Sequence, residues 1–226
     1  HENKGRFAVS VENKHCLVLS CLVISFRYFC KNTQDMTISF ILLASNEDVR
    51  YFRQSLQCLY DSMRDGDELL VLFDEKFNPE FLDVVRQYNA RYYVHTLNQD
   101  FAEHRNYVLN YARRERVFML DCDEWASWLE LDTLHDVPRT IDAVSFVRIN
   151  PLVQRTAEMP HVNEYNWQNF PDRQMRFFDA KLRYSGKLHE GIQGVRNELA
   201  SKIVLIHAKD TDRAREQDLF YRSFGV

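Results

Sequence analysis

Glycine and proline are scarce in this chain, six and five residues among 226. That excludes a collagen-like or low-complexity chain and argues against extended disorder. Cysteine is sparse too. Cys16, Cys21, Cys30, Cys58 and Cys122 are odd in number, and no two have Cys-x-x-Cys spacing. Neither a disulfide framework nor a zinc site is indicated, so a reducing, cytoplasmic setting is the expectation. Neither sign of charge is in large excess. The net charge is −4 and the pI about 6.1, a balance that argues against a nucleic-acid partner. No apolar run reaches the roughly 20 residues a membrane-spanning helix needs. Residues 16–26 come nearest, and they lack the small-residue cleavage pattern of a secretory signal.

What is present is apolar and aromatic. The hydrophobic share is 45%, with 16 Phe and 11 Tyr, enough for one sizeable core. Residues 1–35 differ from the rest, and Met36 falls just before the first clear strand. The expectation is that the native chain starts at or near Met36 and that residues 1–35 are an extension, non-native or disordered. A peripheral membrane anchor at the inner face of a membrane, or an added edge strand, is the competing reading.

From Thr37 onward apolar strands alternate with helical spacing. Residues 38–43 read as a strand, and residues 48–63 as a helix with Phe52, Leu56 and Leu59 on one face. Asp65-Gly66-Asp67 is a turn, and residues 69–73 form a second strand ending at Asp74. Asn78-Pro79 is a helix start, with Asn78 as cap and Pro79 at the first helical position. Residues 92–94 form a third strand, residues 101–112 a third helix closed before Arg116, and residues 117–120 a fourth strand. This order implies an α/β fold with a mostly parallel central sheet and helices on both faces. In the second half, residues 143–147 and 203–206 read as strands. Residues 175–178 and 181–184 read as a hairpin. Residues 148–172, with Pro151, Pro160 and Pro171, read as a long binding loop or lid.

The fourth strand runs into Asp121-Cys122-Asp123-Glu124. Three carboxylates in four positions repel unless a cation sits among them. Mg²⁺ or Mn²⁺ is the usual answer, held by one or two carboxylates and completed by phosphate oxygens. Cys122 is expected to be a small buried residue turned away from them. Ligands in such sheets bind beyond the carboxyl ends of the strands. Asn46, Asp74 and Asp121 all stand there, so a metal–diphosphate site is favoured over a solvated acidic turn.

Several pieces, in order, are similar to the GT-A nucleotide-sugar glycosyltransferases, in particular family 2. Thr37-Ile-Ser-Phe-Ile-Leu-Leu-Ala-Ser-Asn-Glu47 resembles that family's opening strand and Asn-Glu turn. Glu68-Leu-Leu-Val-Leu-Phe-Asp74 resembles its second strand and nucleotide-binding aspartate. Phe101-Ala-Glu-His-Arg-Asn106 looks like its Arg-Asn helix start, and Asp121-Cys-Asp123 matches its D-x-D signature. Gln174-Met-Arg-Phe-Phe178 and Tyr184-Ser-Gly-Lys-Leu-His-Glu190 resemble a later segment common in the branch with lipopolysaccharide core transferases. The resemblance spans about residues 37–207. The second strand ends Asp74-Glu75-Lys76 where the family usually has Asp-Asp-Gly or Asp-Ser-Gly-Ser.

The resemblance implies a GT-A domain over residues 36–226. Residues 36–124 would form the nucleotide-binding half and residues 125–226 the acceptor-binding half. It implies a metal-dependent, inverting transfer of sugar from a nucleoside diphosphate donor to a glycan or lipid-linked acceptor. Asp123 would ligate Mn²⁺ or Mg²⁺, with Asp121 on the ribose or a metal-bound water and His207, followed by Lys209, completing the shell. Ala44, Glu47 and Asp74 would line the nucleotide pocket, and Arg105 would approach the base or phosphate. Arg173 and Arg176 could clamp the diphosphate. Glu190 is the choice for general base, with Glu124 and Asp172 behind it. Trp167 and His189 would meet the acceptor, while Trp125 and Trp128 read as core. Two other classes compete. A sugar-phosphate nucleotidyltransferase usually carries a glycine-rich loop after the first strand, and Ala44-Ser45-Asn46-Glu47 has no glycine. A non-catalytic nucleotide- or glycan-binding module would bind donor without releasing nucleoside diphosphate.

Overall fold

A computed structural model describes residues 36–151, 163–165 and 167–207. Expectations for residues 1–35, for the middle of the 148–172 loop and for Lys209 therefore lie outside the described residues. In chain order, β1 (Ile38–Ala44), α1 (Val49–Asp61), β2 (Glu68–Phe73), α2 (Glu80–Gln87), β3 (Arg91–Val94), α3 (Phe101–Leu109) and β4 (Arg116–Asp121) make the first half. β5 (Glu124–Trp125), α4 (Trp128–Leu131), a 3₁₀ turn (Asp132–Asp136), β6 (Ala143–Ile149), β7 (Asp172–Asp179), β8 (Arg183–Ser185), β9 (Gly191–Gln193) and β10 (Glu198–His207) follow.

Eight strands form one sheet in the order β3-β2-β1-β4-β7-β6-β10-β5. The first four run parallel, with β1 between β2 and β4. β7 then pairs antiparallel with both β4 and β6, and β10 runs parallel to β6. β1 is buried at every position, as a central strand covered on both faces must be. Its side chains alternate between two cores. Phe40 and Leu42 join α1 and α2 on one face through Phe52, Leu56, Phe81 and Val85. Ile41 and Leu43 join α3 on the other through Ala102, Val108 and Leu109. Phe52 and Phe81 stack at 4.1 Å between ring centres, which locks α1 against α2.

The structure corrects five expectations: Trp128, expected in the core, is exposed, and four elements differ. The hairpin of residues 175–178 and 181–184 does not form. β7 is a central strand, and β8 pairs instead with β9 in a separate two-stranded sheet. Phe177 and Phe178 are fully buried between β4 and β6, and a local turn cannot compete with that burial. Second, Arg116 does not close a helix; α3 ends at Leu109 and Arg116 opens β4. It is buried, and its guanidinium donates to the carbonyls of Arg139 and Asp142. Third, α2 starts one residue late, at Glu80, whose N–H donates to the Asn78 side chain at 3.0 Å. Fourth, β10 is ten residues long, far more than its apolar centre suggests, because its N-terminal part is exposed. Among the described residues no helix is long and apolar enough to cross a membrane.

Candidate active site

The carboxyl ends of β1, β2 and β4 open into a cavity of about 810 Å³. That lies within the range for small-molecule sites, roughly 300–1,000 Å³. Its walls include Ala44, Glu47, Asp74, Arg105, Asp121, Asp123, Arg176, His189, Glu190 and His207. One cavity thus gathers these expected site residues from β1, β2, α3, β4, β7, β10 and the loop after β8.

The acidic run does not repel itself, because arginines intervene. Asp121 takes Arg105 Nη2 at 2.9 Å and Arg176 Nη2 at 2.7 Å. Burial pushes the Asp121 carboxyl up, but Arg105 and Arg176, then Arg148 and His207, hold it well below the usual carboxylate range. Glu124 is fully buried. It binds Arg148 and Arg176 through Oε1 and accepts the Asp121 N–H through Oε2 at 3.1 Å. Asp172 closes the chain of charges by pairing with Arg148 at 2.7 Å. Glu124 and Asp172, the alternative bases, therefore serve here as counter-ions. Cys122 is buried, as expected, and its carbonyl accepts the Ser55 hydroxyl at 2.8 Å, tying α1 to the turn.

Asp123 and His207 meet at one edge of this network. His207 Nε2 lies 3.2 Å from Asp123 Oδ2, and His207 Nδ1 lies 2.7 Å from Asn150 Oδ1. The Asn150 amide is fixed in orientation, since its Nδ2 donates to Gln168 O and Asp172 Oδ2. Asn150 Oδ1 can only accept, so His207 carries its hydrogen on Nδ1. His207 then turns Nε2 toward a carboxylate oxygen of Asp123. Two acceptors so placed need a proton or a cation between them, and a carbonyl on the far nitrogen is the usual outer-shell support of a metal-bound histidine. The 3.2 Å spacing is close to what neighbouring positions on an octahedral ion with bonds of about 2.1 Å require. Asp123 and His207 fit a divalent cation. Asp121, the other carboxylate expected at the metal, takes guanidinium N–H groups on both of its oxygens. Among the described residues no group of three or more His, Cys, Asp or Glu side chains gathers as a metal cage.

The remaining residues fall into place around this pair. Glu190 accepts from Arg105 Nε at 2.8 Å, and its side chain is 15% exposed. Arg105 is itself buried between Asp121 and Glu190, above the Tyr184 ring. It organises carboxylates where direct contact with base or phosphate was expected. Glu47 folds back to accept the Ser45 N–H at 2.6 Å, and Asp74 accepts the N–H groups of Glu75 and Leu97. Arg173 lines the cavity and makes no ion pair among the described residues, unlike Arg176. Tyr184 Oη and Arg176 Nε are buried without a hydrogen-bond partner among the described residues. Trp167 is not among the cavity walls. It packs beside them between Tyr165 and Phe170, at 5.3 and 5.2 Å. Sequence reasoning missed Arg148, Asn150 and His104. Arg148 and Asn150 sit at the end of β6 and gave only the signal of polar residues closing an apolar strand.

An α/β domain with an Asp-Cys-Asp turn and a cavity at the carboxyl ends of its parallel strands is what this fold defines. The family model for glycosyl transferase family 2 matches residues 39–189, and the chain belongs to that family. Among solved structures, Staphylococcus aureus TarS 1-349 is similar at 15% identity and a TM-score of 0.50, over 76% of this chain and 60% of that one. The mannosyltransferase PcManGT from Pyrobaculum calidifontis, solved with GDP-Man and Mn²⁺, matches at 20% identity and a TM-score of 0.40, over 57% and 43%. The 4-diphosphocytidyl-2C-methyl-D-erythritol synthase from Anaerococcus prevotii matches at 16% identity and a TM-score of 0.44, over 65% and 71%. At 15% identity the likeness to TarS is one of fold. The chain spans about three fifths of the TarS piece it matches. No curated protein matches the sequence.

Proposed function

We propose that this domain moves a sugar from a nucleoside diphosphate donor to a hydroxyl of a glycan or lipid-linked acceptor, with inversion at the anomeric carbon. The observation that carries the reading is the pairing of Asp123 with His207 in the same cavity as Glu190. Membership of glycosyl transferase family 2 supports transfer to an acceptor over nucleotidyl transfer.

In this reading Asp123 and His207 hold Mn²⁺ or Mg²⁺, which would neutralise charge on the diphosphate. Arg173 has its guanidinium available for a phosphate, whereas Arg176 is committed to Asp121 and Glu124. Ala44, Glu47 and Asp74 wall the nucleoside end. Glu190 takes the proton of the acceptor hydroxyl as that oxygen bonds to the anomeric carbon. The bond from the anomeric carbon to the β-phosphate oxygen breaks, and the nucleoside diphosphate leaves. General-base help of this kind is worth about 10²–10⁴-fold. His189, exposed at the cavity edge, and the Trp167 cluster beside it are the acceptor side. A cytoplasmic setting at the inner face of a membrane is part of the same reading.

The test is a thermal-shift screen of UDP-, GDP-, CMP-, ADP- and dTDP-sugars with and without Mn²⁺, on wild type and Asp123→Ala, paired with assays for released nucleoside diphosphate and pyrophosphate. One nucleotide sugar should raise Tm in a metal-dependent way, through binding to the native state. Asp123→Ala should lose that shift. Nucleoside diphosphate release supports glycosyl transfer, pyrophosphate release would move the protein to the nucleotidyltransferases, and binding without either product would make it a binding module. No shift with any nucleotide overturns the reading.

A further inference from the structure

The mechanism above leaves one buried imidazole in the cavity wall without a role. His104 lies in the first turn of α3, is 7% exposed, and lines the cavity close to Asp74. Its Nδ1 faces Nδ1 of His95 at 3.4 Å. His95 in turn places Nε2 3.2 Å from Glu103 Oε1 and stacks on Tyr107 at 4.1 Å. Glu103, His95 and His104 thus form a relay that runs from the surface to the cavity.

The relay sets which nitrogen of His104 carries hydrogen. A carboxylate only accepts, so the His95 hydrogen faces Glu103 from Nε2. His95 Nδ1 is then a lone pair, and the hydrogen between the two rings must come from His104 Nδ1. That leaves a lone pair on His104 Nε2, which takes no hydrogen bond among the described residues. Burial keeps the ring uncharged, pushing its pKa down to about 4.

Position supplies the ligand. Asp74 follows β2 and Asp121 ends β4, two strands away across β1. That is roughly 10 Å at the usual strand spacing. With the diphosphate at Asp123 and His207, a nucleoside running along the strand ends brings its base to the β2 side, between Asp74, Leu97, Phe101 and His104. Asp74 Oδ1 is already committed to the backbone N–H groups of Glu75 and Leu97.

We infer that His104 is a specificity-determining residue whose Nε2 accepts the ring N–H of the donor's base, so that uracil, thymine or guanine is taken and cytosine or adenine is refused. Cytosine N3 and adenine N1 offer a ring lone pair at that edge and would meet the lone pair of Nε2. A site built to hydrogen-bond one group rejects the analogue that lacks it, because a buried polar atom is left unpaired. The inference rests on the nucleotide-donor reading and goes beyond it by naming the class of base.

Calorimetric titration of the full chain, with Mn²⁺, against UDP, dTDP, GDP, CDP and ADP tests it. One of the first three should bind at least tenfold more tightly than CDP and ADP. The same nucleotide methylated on its ring nitrogen (N3 of uracil or thymine, N1 of guanine) should lose that margin. His104→Phe should narrow the margin to less than threefold, and His95→Phe, which frees the tautomer, should narrow it in part. A preference for CDP or ADP, or tight binding of the methylated nucleotide, would overturn the inference while leaving the donor reading intact. So would an unchanged preference in folded His104→Phe. If wild type binds no nucleotide at all, the donor reading falls and this inference falls with it. The methylated-nucleotide arm uses wild-type protein and stands even where a histidine variant fails to fold.

Discussion

Arg105 joins Glu190 to Asp121. Its Nε donates to Glu190 at 2.8 Å and its Nη2 to Asp121 at 2.9 Å, from a side chain only 6% exposed. One guanidinium therefore positions both the proposed base and the first aspartate of the D-x-D turn. Arg105→Met would remove the guanidinium that pairs with Glu190 and would leave Asp121 with Arg176 as its remaining arginine partner. Breaking a buried pair from one side costs about 3–5 kcal/mol. At roughly 2–4 °C per kcal/mol for a domain of this size, Tm should fall by about 10 °C. Differential scanning calorimetry checks it, and a Tm unchanged within 2–3 °C would show that Arg105 is not the tie.

Glu190→Gln separates chemistry from architecture. The amide oxygen can still accept from Arg105 Nε, so Tm should move little. It cannot take a proton, so kcat should fall by about 10²–10⁴-fold with donor binding preserved. Turnover within threefold of wild type in this variant would remove Glu190 as the base and return attention to His189 at the same rim.

Asn150 offers a test of the metal pair that leaves both ligands in place. Its Oδ1 fixes the His207 tautomer from behind, at 2.7 Å. Losing such an outer partner typically weakens metal affinity 10–100-fold. Asn150→Ala should therefore need about 10–100 times more Mn²⁺ to reach half of the nucleotide-dependent Tm shift. Equal Mn²⁺ dependence in wild type and variant would mean that Asp123 and His207 pair as a simple salt bridge.

The first half of this fold is legible in the sequence because its signal is local. Residues 38–43, 69–73 and 117–120 are apolar runs of strand length, each bounded by a turn or a helix cap, and a parallel sheet buried on both faces has that pattern. The strand-end rule then placed Asp74 and Asp121 correctly from topology alone. β7 was misread because its sequence, Asp172–Asp179, looks the same whether it pairs with a neighbouring hairpin arm or with two distant strands. Only the whole core decides between those. The site was legible in its carboxylates and not in its cations. Arg105 and Arg176 could not be told from phosphate contacts, because their carboxylate partners lie 16 to 85 residues away in sequence. The His95–His104 relay was invisible for a similar reason, since strand and helix bring together two rings nine residues apart.

His104 also makes a prediction about acid stability. Burial lowers its pKa from 6.5 to about 4 in the folded protein. Between those values the unfolded chain binds the proton and the folded one does not, so stability rises with pH across the window. Its contribution is complete above about pH 6.5 and is lost on acidification toward pH 4, amounting to roughly 3 kcal/mol at most. Urea titrations at pH 7, 6, 5 and 4 should show a slope in this window that is visibly reduced in His104→Phe. An identical slope in the variant would show that His104 is as readily protonated in the fold as in the unfolded chain.

Gly186 sets the approach of Glu190 to the cavity. It has φ of +92°, and a Cβ there would sit 3.2 Å from the His189 carbonyl oxygen. An alanine must adopt a left-handed conformation at a cost of about 1–3 kcal/mol, and it must also push back the backbone that leads into Glu190. Gly194 is the control. Its φ is +84°, but a Cβ would meet only the end of the Leu182 side chain at 3.4 Å, away from the backbone that leads into Glu190. Both Gly186→Ala and Gly194→Ala should therefore lose stability, on the order of 2–12 °C in Tm, with Gly186→Ala losing the more. Only Gly186→Ala should lose catalysis, with kcat down at least tenfold and the donor KM nearly unchanged, because the nucleotide end is built by β1, β2 and β4. Equal activity in the two variants would mean that the turn carries strain without aiming the base. Equal loss in both would mean that the small sheet of β8 and β9, as a unit, holds Glu190 in place.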